Sequence, residues 1–158
     1  MSEAINNVTT FITVDDGSRR VPIQNKSGEE IGAFTFHPTD LGIVMRYNNM
    51  VENFDKVTEP LEALSAAEGD VDILEPRYAE AIREAEERLY EAVDTLLGSS
   101  GAAKAFFGRM NPFSPVDGEF YCTQVLSAVG LYIGAQFEAE TVRFGEKAKK
   151  YARKATKK

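Results

Sequence analysis

The hydrophobic period of the sequence changes once, within residues 36–40, and this change constrains the fold more than any other feature. Upstream, β-branched and aromatic residues fall in short runs separated by the turn signals DDGS and NKSGEE. This pattern predicts a three-stranded antiparallel β-meander over residues 1–37. The residues that carry the prediction are Phe11, Thr13, Val21, Ile23, Ile31, Ala33, Phe34 and Phe36.

Downstream of the change, apolar residues recur at intervals of three and four, which is typical of an amphipathic helix. The first such series is Ile43, Tyr47, Met50, Phe54, Val57, Leu61 and Leu64. Pro60 removes a backbone donor, so we expect it to kink this helix or to split it near Thr58.

Three further helices are expected. One begins near Pro76 and ends at Gly98, a short one covers about residues 100–107, and the last begins at Asp117 or after Gly118. The sequence therefore predicts a single α+β domain over residues 1–137, in which a mostly α-helical body at 40–137 follows the meander. A basic C-terminal extension, helical or disordered, occupies residues 138–158.

The motif HPTD holds the only histidine of the chain. Pro38 favours extended backbone at His37 and so ends the strand, while Thr39 or Asp40 offers a side-chain oxygen to cap the next helix. As a metal ligand or general base, His37 would find only carboxylates as partners. We therefore interpret residues 37–40 as a structural junction between a strand and a helix.

No motif of catalysis or cofactor binding is complete in this sequence. The serines lack the Gly-x-Ser-x-Gly elbow, GSSGAAKAFFG lacks the Gly-Lys-Ser/Thr of a phosphate-binding loop, and the helical carboxylates lack metal-binding spacing. Cys122 falls in an apolar helical stripe, where a free cysteine is usually a small buried hydrophobe. We predict a protein that is not an enzyme and that binds no cofactor or metal.

Charge divides the chain unevenly. Residues 1–137 carry a net charge of −12, whereas residues 138–158 carry +5. An acidic body repels nucleic acid, so any binding of DNA or RNA would depend on the tail. The N-terminus lacks a signal-peptide pattern, no apolar run is long enough for a bilayer, and a single cysteine offers no internal disulfide. An intracellular, soluble protein is expected.

The basic tail has two interpretations from its residues alone. It is either a solvated or disordered end, or an electrostatic arm for nucleic acid or an acidic partner. Its cations are Lys147, Lys149, Lys150, Arg153, Lys154, Lys157 and Lys158.

Two segments resemble the tail assembly chaperones of long-tailed, siphovirus-like phages and prophages of Gram-positive bacteria. In the first, an aromatic strand meets a Pro-Thr-Asp helix start and an arginine-aromatic pair; in the second, a Phe-Gly, Pro and Asp-Gly segment precedes the last helix. The resemblance covers about residues 20–137. The matching residues are Phe36, Pro38, Thr39, Asp40, Arg46, Tyr47, Phe107, Gly108, Pro112, Asp117 and Gly118.

The resemblance implies that the protein binds the tape measure protein and keeps it soluble in the host cytoplasm while the tail tube assembles. It also implies possible contacts with the tail tube protein and with other copies, and a second, frameshifted length. Each candidate contact residue has an alternative role in the chain's own core. The candidates are Phe106, Phe107, Met110, Phe113, Tyr132, Ile133 and Phe137.

Two other functions stay open at the level of sequence. One is a structural virion subunit, such as a tail completion or connector protein, whose sheet joins neighbours in a ring. The other is nucleic-acid binding through the basic tail, which predicts an affinity that falls steeply with salt.

Overall fold

The computed structural model describes residues 10–67 and 72–156. A β-hairpin precedes four helices of unequal length, and a second, very short hairpin precedes the last helix. In chain order the elements are β1 (Arg19–Gln24), β2 (Glu30–Phe36), α1 (Leu41–Glu52), α2 (Phe54–Ala67), α3 (Pro76–Leu97), α4 (Ala102–Phe107), β3 (Pro115–Val116), β4 (Glu119–Phe120) and α5 (Tyr121–Thr156). The predicted α+β class with a mostly helical body is confirmed.

The three-stranded meander is not confirmed, because the described N-terminal sheet is the β1–β2 hairpin alone. Residues 10–18 form no strand, and the side chains of Phe11 and Ile12 are exposed. The DDGS turn does form: the carboxylates of Asp15 and Asp16 each accept a hydrogen bond from the backbone N–H two residues further along the chain. A third strand would make β1 central, and Pro22 within β1 has no backbone donor for such a position.

The first long helix divides at Asn53, so the predicted break near Thr58 is wrong. The backbone N–H and the side-chain amide of Asn53 both donate to the carbonyl of Asn49, which ends α1. Pro60 instead lies inside α2. Its missing N–H frees the carbonyl of Lys56, and this carbonyl accepts a hydrogen bond of 2.8 Å from the guanidinium of Arg88 on α3.

Helix α3 lies at the centre of the core. It begins at Pro76, as predicted, and Gly98 ends it in a left-handed conformation with φ of 80°. Ala85, Leu89 and Val93 repeat at intervals of four and are fully buried. Helices α1, α2 and α4 all pack against this helix, so its buried face organises the helical body.

The hairpin attaches to the body through a close backbone contact between β2 and α4. Gly32 on β2 lies against the carbonyl of Phe106, and Gly108 after α4 lies against the carbonyl of Ile31. A β-carbon at either position would overlap those carbonyls, so only glycine permits this approach. The contact brings Phe36 onto Phe106, with ring centroids 6.3 Å apart.

The last helix begins at Tyr121, so of the two predicted starts the one after Gly118 agrees with the structure and the one at Asp117 is wrong. Asp117 and Gly118 both have positive φ, 54° and 85°, and they form the tight turn between β3 and β4. From Tyr121 the helix continues for 36 residues to Thr156. The predicted boundary between residues 137 and 138 therefore falls within one continuous helix. No described helix is long and apolar enough to cross a membrane.

Candidate partner-binding surface

Residues 37–40 connect the strand to the first helix through a small polar network. The carboxylate of Asp40 caps α1 by accepting a hydrogen bond of 3.0 Å from the N–H of Gly42, and it pairs with Arg46 at 3.3 Å. These two contacts, the backbone one first, hold the pKa of Asp40 below its usual range. Pro38 is buried beside this cap, and Thr39 lies on the turn before it.

His37 has one carboxylate partner. Its Nε2 atom lies 2.7 Å from Oδ2 of Asp16, and this hydrogen bond is the main cause of a strongly lowered pKa at Asp16. Both side chains are about half exposed. This hydrogen bond connects the segment before β1 to the junction, so the role of His37 in this structure is structural.

Elsewhere in the described ranges, no three His, Cys, Asp or Glu side chains are grouped so that they could hold a metal ion. Cys122 is fully buried, and burial raises the pKa of its thiol to about 11. A neutral buried thiol is a poor nucleophile at physiological pH. Cys122 therefore acts as a packing residue.

Four of the seven candidate contact residues lie in the core of this chain. Phe106 and Phe107 are each 1% exposed and pack edge to face at 6.4 Å, and the ring of Phe107 also meets that of Tyr121. Phe113 and Ile133 are buried as well. These four side chains join the sheet, α4 and α5, so in this conformation they offer no surface to a partner.

The other three candidates are partly accessible. Met110 lies on the turn after α4 and is 39% exposed. Tyr132 and Phe137 on α5 are half-buried, and Phe137 packs against the edge of the core. Met110 lies outside α5, and Tyr132 and Phe137 are five residues apart on that helix, so they do not share one helical face.

A larger apolar surface lies on the outward side of α1, where sequence reasoning did not place one. Leu41 and Met45 are 77% and 70% exposed, and Val44 and Val51 extend the same stripe. The opposite side of α1 places Ile43 and Met50 in the core. We call residues 41, 44, 45 and 51 the outer face of α1.

A signal for this face was present in the sequence. Apolar residues at 41, 44, 45 and 51 follow a second helical period beside the one at 43, 47 and 50. A helix with apolar residues on two sides has a second side to cover, either within its own fold or against a partner. The described residues cover only one of them.

The second half of α5 carries further accessible apolar residues. Side chains 141–154 are all exposed, among them Val142, Phe144 and Tyr151. The cations Lys147, Lys149, Lys150, Arg153 and Lys154 lie on this helical segment, whereas Lys157 and Lys158 lie outside the described residues. The structure thus resolves the described part of the basic tail as helix.

Comparison of the chain with protein-family models, with curated proteins and with solved structures finds no match to any of them.

Proposed function

We propose that this protein is a non-enzymatic chaperone of phage tail assembly, which binds the tape measure protein and keeps it soluble while tail tube subunits assemble around it. The observation that carries the proposal is the outer face of α1. Four apolar side chains on one accessible stripe supply the type of surface that an amphipathic helix of a partner covers.

The physical demand of this task agrees with the surface. A long helical protein that exposes apolar stripes aggregates unless another surface covers them. The outer face of α1 supplies apolar contact on a rigid helix whose other side is fixed in the core by Ile43 and Met50. The acidic body keeps such a complex soluble and favours basic partners.

The resemblance of the junction and of the segment before α5 supports the same proposal. Asp40, a residue of the resembling motif, caps α1 and pairs with Arg46, another residue of that motif, and these contacts fix the start of the helix that carries the outer face. The tail tube protein is a further proposed partner, and the host cytoplasm is the proposed location.

The test is co-expression with the tape measure protein of the same genome, followed by size exclusion and light scattering. We expect a soluble complex with several copies of this chain, and an insoluble tape measure when it is expressed alone. The double variant Leu41→Ser/Met45→Ser should abolish the complex. Ile73→Ser is the matched control, because Ile73 is also exposed but lies outside α1.

Two outcomes would contradict the proposal. If the tape measure protein stays insoluble beside a well-folded chain that forms rings persistent in high salt, a structural virion subunit becomes the better explanation. If instead the chain binds duplex DNA, and deletion of residues 143–158 abolishes that binding, a nucleic-acid function through the tail takes its place.

A further inference from the structure

The accessible half of α5 has the composition of a helix that requires a counter-surface. Residues 143–154, here called the basic arm, have all their side chains exposed. Between Lys147 and Lys154 they include five cations and no carboxylate. Like charges four residues apart, such as Lys150 and Lys154, destabilise a helix, and an isolated helix of this length is marginal in water. A surface with negative charge and apolar contacts would stabilise it.

The arm presents its charges and its aromatic rings in an ordered way. Phe144 and Tyr151 are 75% and 70% exposed and lie seven residues apart, hence on one side of the helix. Lys147, Lys150 and Lys154, spaced by three and four, form a line beside this aromatic side. At the base of the arm, Arg143 is already paired with Glu140 at 2.7 Å.

Helix α3 carries a line of carboxylates with the same spacing. Glu84, Glu87 and Glu91, here called the acidic row, also follow intervals of three and four. They lie opposite the fully buried side of α3, so they point away from the core. Each line spans about 10 Å at the rise of an α-helix. Glu84 is paired with Arg88 at 2.8 Å, whereas no ion pair between described residues involves Glu87 or Glu91.

A shallow depression of about 610 Å³ adjoins the acidic row at the end of α3. Tyr90, Thr95 and Gly98 line it together with Glu87 and Glu91. Its half-buried aromatic ring offers an apolar contact next to the carboxylates. An aromatic side chain that accompanies a line of lysines would fit this combination.

Within one chain the arm faces a different region. A groove of about 680 Å³ separates its base from the segment before β1, and Asp15, Asp16, Lys147 and Lys150 are among the residues that line this groove. Asp16 is held by His37, and Asp15 lies 3.8 Å from Arg19. This groove also includes Phe144, but no ion pair between described residues joins Asp15 or Asp16 to Lys147 or Lys150 across it.

We propose that the basic arm of one copy docks along the acidic row of a second copy. Lys147, Lys150 and Lys154 then lie opposite the three glutamates, and Phe144 or Tyr151 enters the depression beside Tyr90. The two surfaces differ, so the contact is heterologous, and each copy keeps one arm and one row for further neighbours. This inference needs no tape measure protein and stands apart from the proposed function.

A second copy fits the arm better than a nucleic acid does. A polyanion would also attract the lysines, but it would meet a body with a net charge of −12. The acidic row supplies negative charges at the same spacing as the lysines of the arm. The contact between them is small, so the arm can dock without the rest of the acidic body lying against it. Because the lysines and most of the glutamates are exposed, the contact is salt-sensitive.

Charge reversal in the full chain tests the docking. We expect the wild-type chain to associate at about 50 mM NaCl and to dissociate at about 500 mM, as measured by sedimentation velocity over a range of protein concentrations. Lys147→Glu/Lys150→Glu/Lys154→Glu should weaken association by about tenfold or more, and so should Glu84→Lys/Glu87→Lys/Glu91→Lys. Lys26→Glu/Lys104→Glu, which reverses exposed cations elsewhere, should leave association unchanged.

The decisive test combines both charge reversals. A chain that carries all six substitutions has the wild-type net charge and should associate within about threefold of the wild type, and an equal mixture of the two triple variants should do the same. Circular dichroism of each variant checks that the fold is intact. Phe144→Ser/Tyr151→Ser should also weaken association, with Leu131→Ser as its exposed control.

Four results would overturn the inference. They are a wild-type chain that stays monomeric at low salt, assemblies that persist at high salt, arm reversal without effect, and a swapped chain that fails to associate although it is folded. If the wild-type arm binds a fluorescent DNA duplex more tightly than it binds the second copy, a nucleic acid is the better occupant, and the inference is likewise wrong.

Discussion

The two halves of α5 have a similar spacing of apolar residues but differ in how deeply those residues are buried. In residues 121–137, an apolar stripe that includes Leu126 and Ile133 packs into the core. In residues 138–156, apolar residues recur at similar spacing, yet Phe144 and Tyr151 are exposed. An apolar stripe on a helix therefore identifies a surface that requires a neighbour, and the rest of the chain decides whether that neighbour lies in the same chain.

A contact with α1 marks the internal half of the helix. The hydroxyl of Tyr47 donates a hydrogen bond of 3.1 Å to the carbonyl of Leu126, and its ring lies directly over Gly130. Beyond Phe137, Glu140 is half-buried and the side chains of residues 141–154 are exposed. The following substitutions test this division of α5, from the largest expected effect to the smallest.

The largest contrast is expected between two leucines five residues apart. Leu126→Ala should lower the free energy of unfolding by about 2–4 kcal/mol, because it leaves a cavity in the core. Leu131→Ala should change it by less than about 0.5 kcal/mol, since Leu131 is 78% exposed. Urea denaturation of both variants measures the contrast, and equal losses would show that the helix is covered on both sides.

The two glycines of α5 should respond with opposite signs. A β-carbon on Gly130 would overlap the hydroxyl of Tyr47 and the ring carbon that bears it, so Gly130→Ala should cost about 1–2 kcal/mol. Gly134 has open space around it, and Gly134→Ala should stabilise the protein by about 0.5–1 kcal/mol through helix propensity. Thermal melts of the two variants decide this, and stabilisation by both would mean that Tyr47 moves away at little cost.

Removal of the hydroxyl that joins α1 to α5 should have a smaller effect. Tyr47→Phe deletes the hydrogen bond to Leu126 but keeps the ring over Gly130, so we expect a loss of about 1 kcal/mol. The double variant Tyr47→Phe/Gly130→Ala tests whether the two sites act together. The hydroxyl is also the atom that a β-carbon at Gly130 meets first, so its removal should relieve part of the Gly130→Ala loss, and strictly additive losses would show that the ring carbons alone cause that loss.

Ionisation of the Cys122 thiol should not change stability at neutral pH and should lower it increasingly in alkali. Burial raises the pKa of its thiol to about 11, above that of an unfolded cysteine at about 8.5. The thiol of the unfolded chain therefore loses its proton first. The contribution of the protonated thiol to the free energy of unfolding is fully present below the pKa of the unfolded thiol and is lost as the pH rises toward 11. Cys122→Ala should remove this part of the alkaline loss in urea titrations.

Thiol labelling at pH 8 compares the two halves of α5 directly. The reference is a cysteine introduced by Gly145→Cys in a chain that also carries Cys122→Ala. Cys122 should react with a disulfide reagent on the order of 100-fold more slowly than this cysteine, because a buried neutral thiol is a poor nucleophile. Similar rates at both positions would show that the packed half opens readily.

Sequence reasoning identified the type of most elements and missed several of their ends. Strong helical periods predicted α3 from Pro76 to Gly98 and the short helix before Gly108. It misplaced the break between α1 and α2, because the side-chain amide of Asn53 donates to the carbonyl of Asn49 and ends α1 there, whereas Pro60 is accommodated inside α2. It also missed the β3–β4 turn, where Asp-Gly is a hairpin signal rather than a helix start.

The candidate surface was harder to predict, because one residue pattern serves both a core and an interface. Phe106 and Phe107 have the composition of a binding cluster, yet Gly32 and Gly108 bring β2 close enough to bury them. Leu41 and Met45 resemble ordinary helix residues, yet no described element packs over them. Periodicity gives the direction of a side chain relative to its own helix, not the neighbour that it meets.

By itself, the sequence determined the change from strand to helix at residues 37–40, the buried side of α3 and the opposite charges of body and tail. Each of these follows from local spacing or from composition, which need no knowledge of distant contacts. The tertiary structure alone decided that the segment 10–18 stays outside the sheet, that α1 is covered on one side, and that the core ends near Phe137 along α5. These outcomes depend on which surfaces meet after the chain has folded, and the physical cause is packing between residues far apart in sequence.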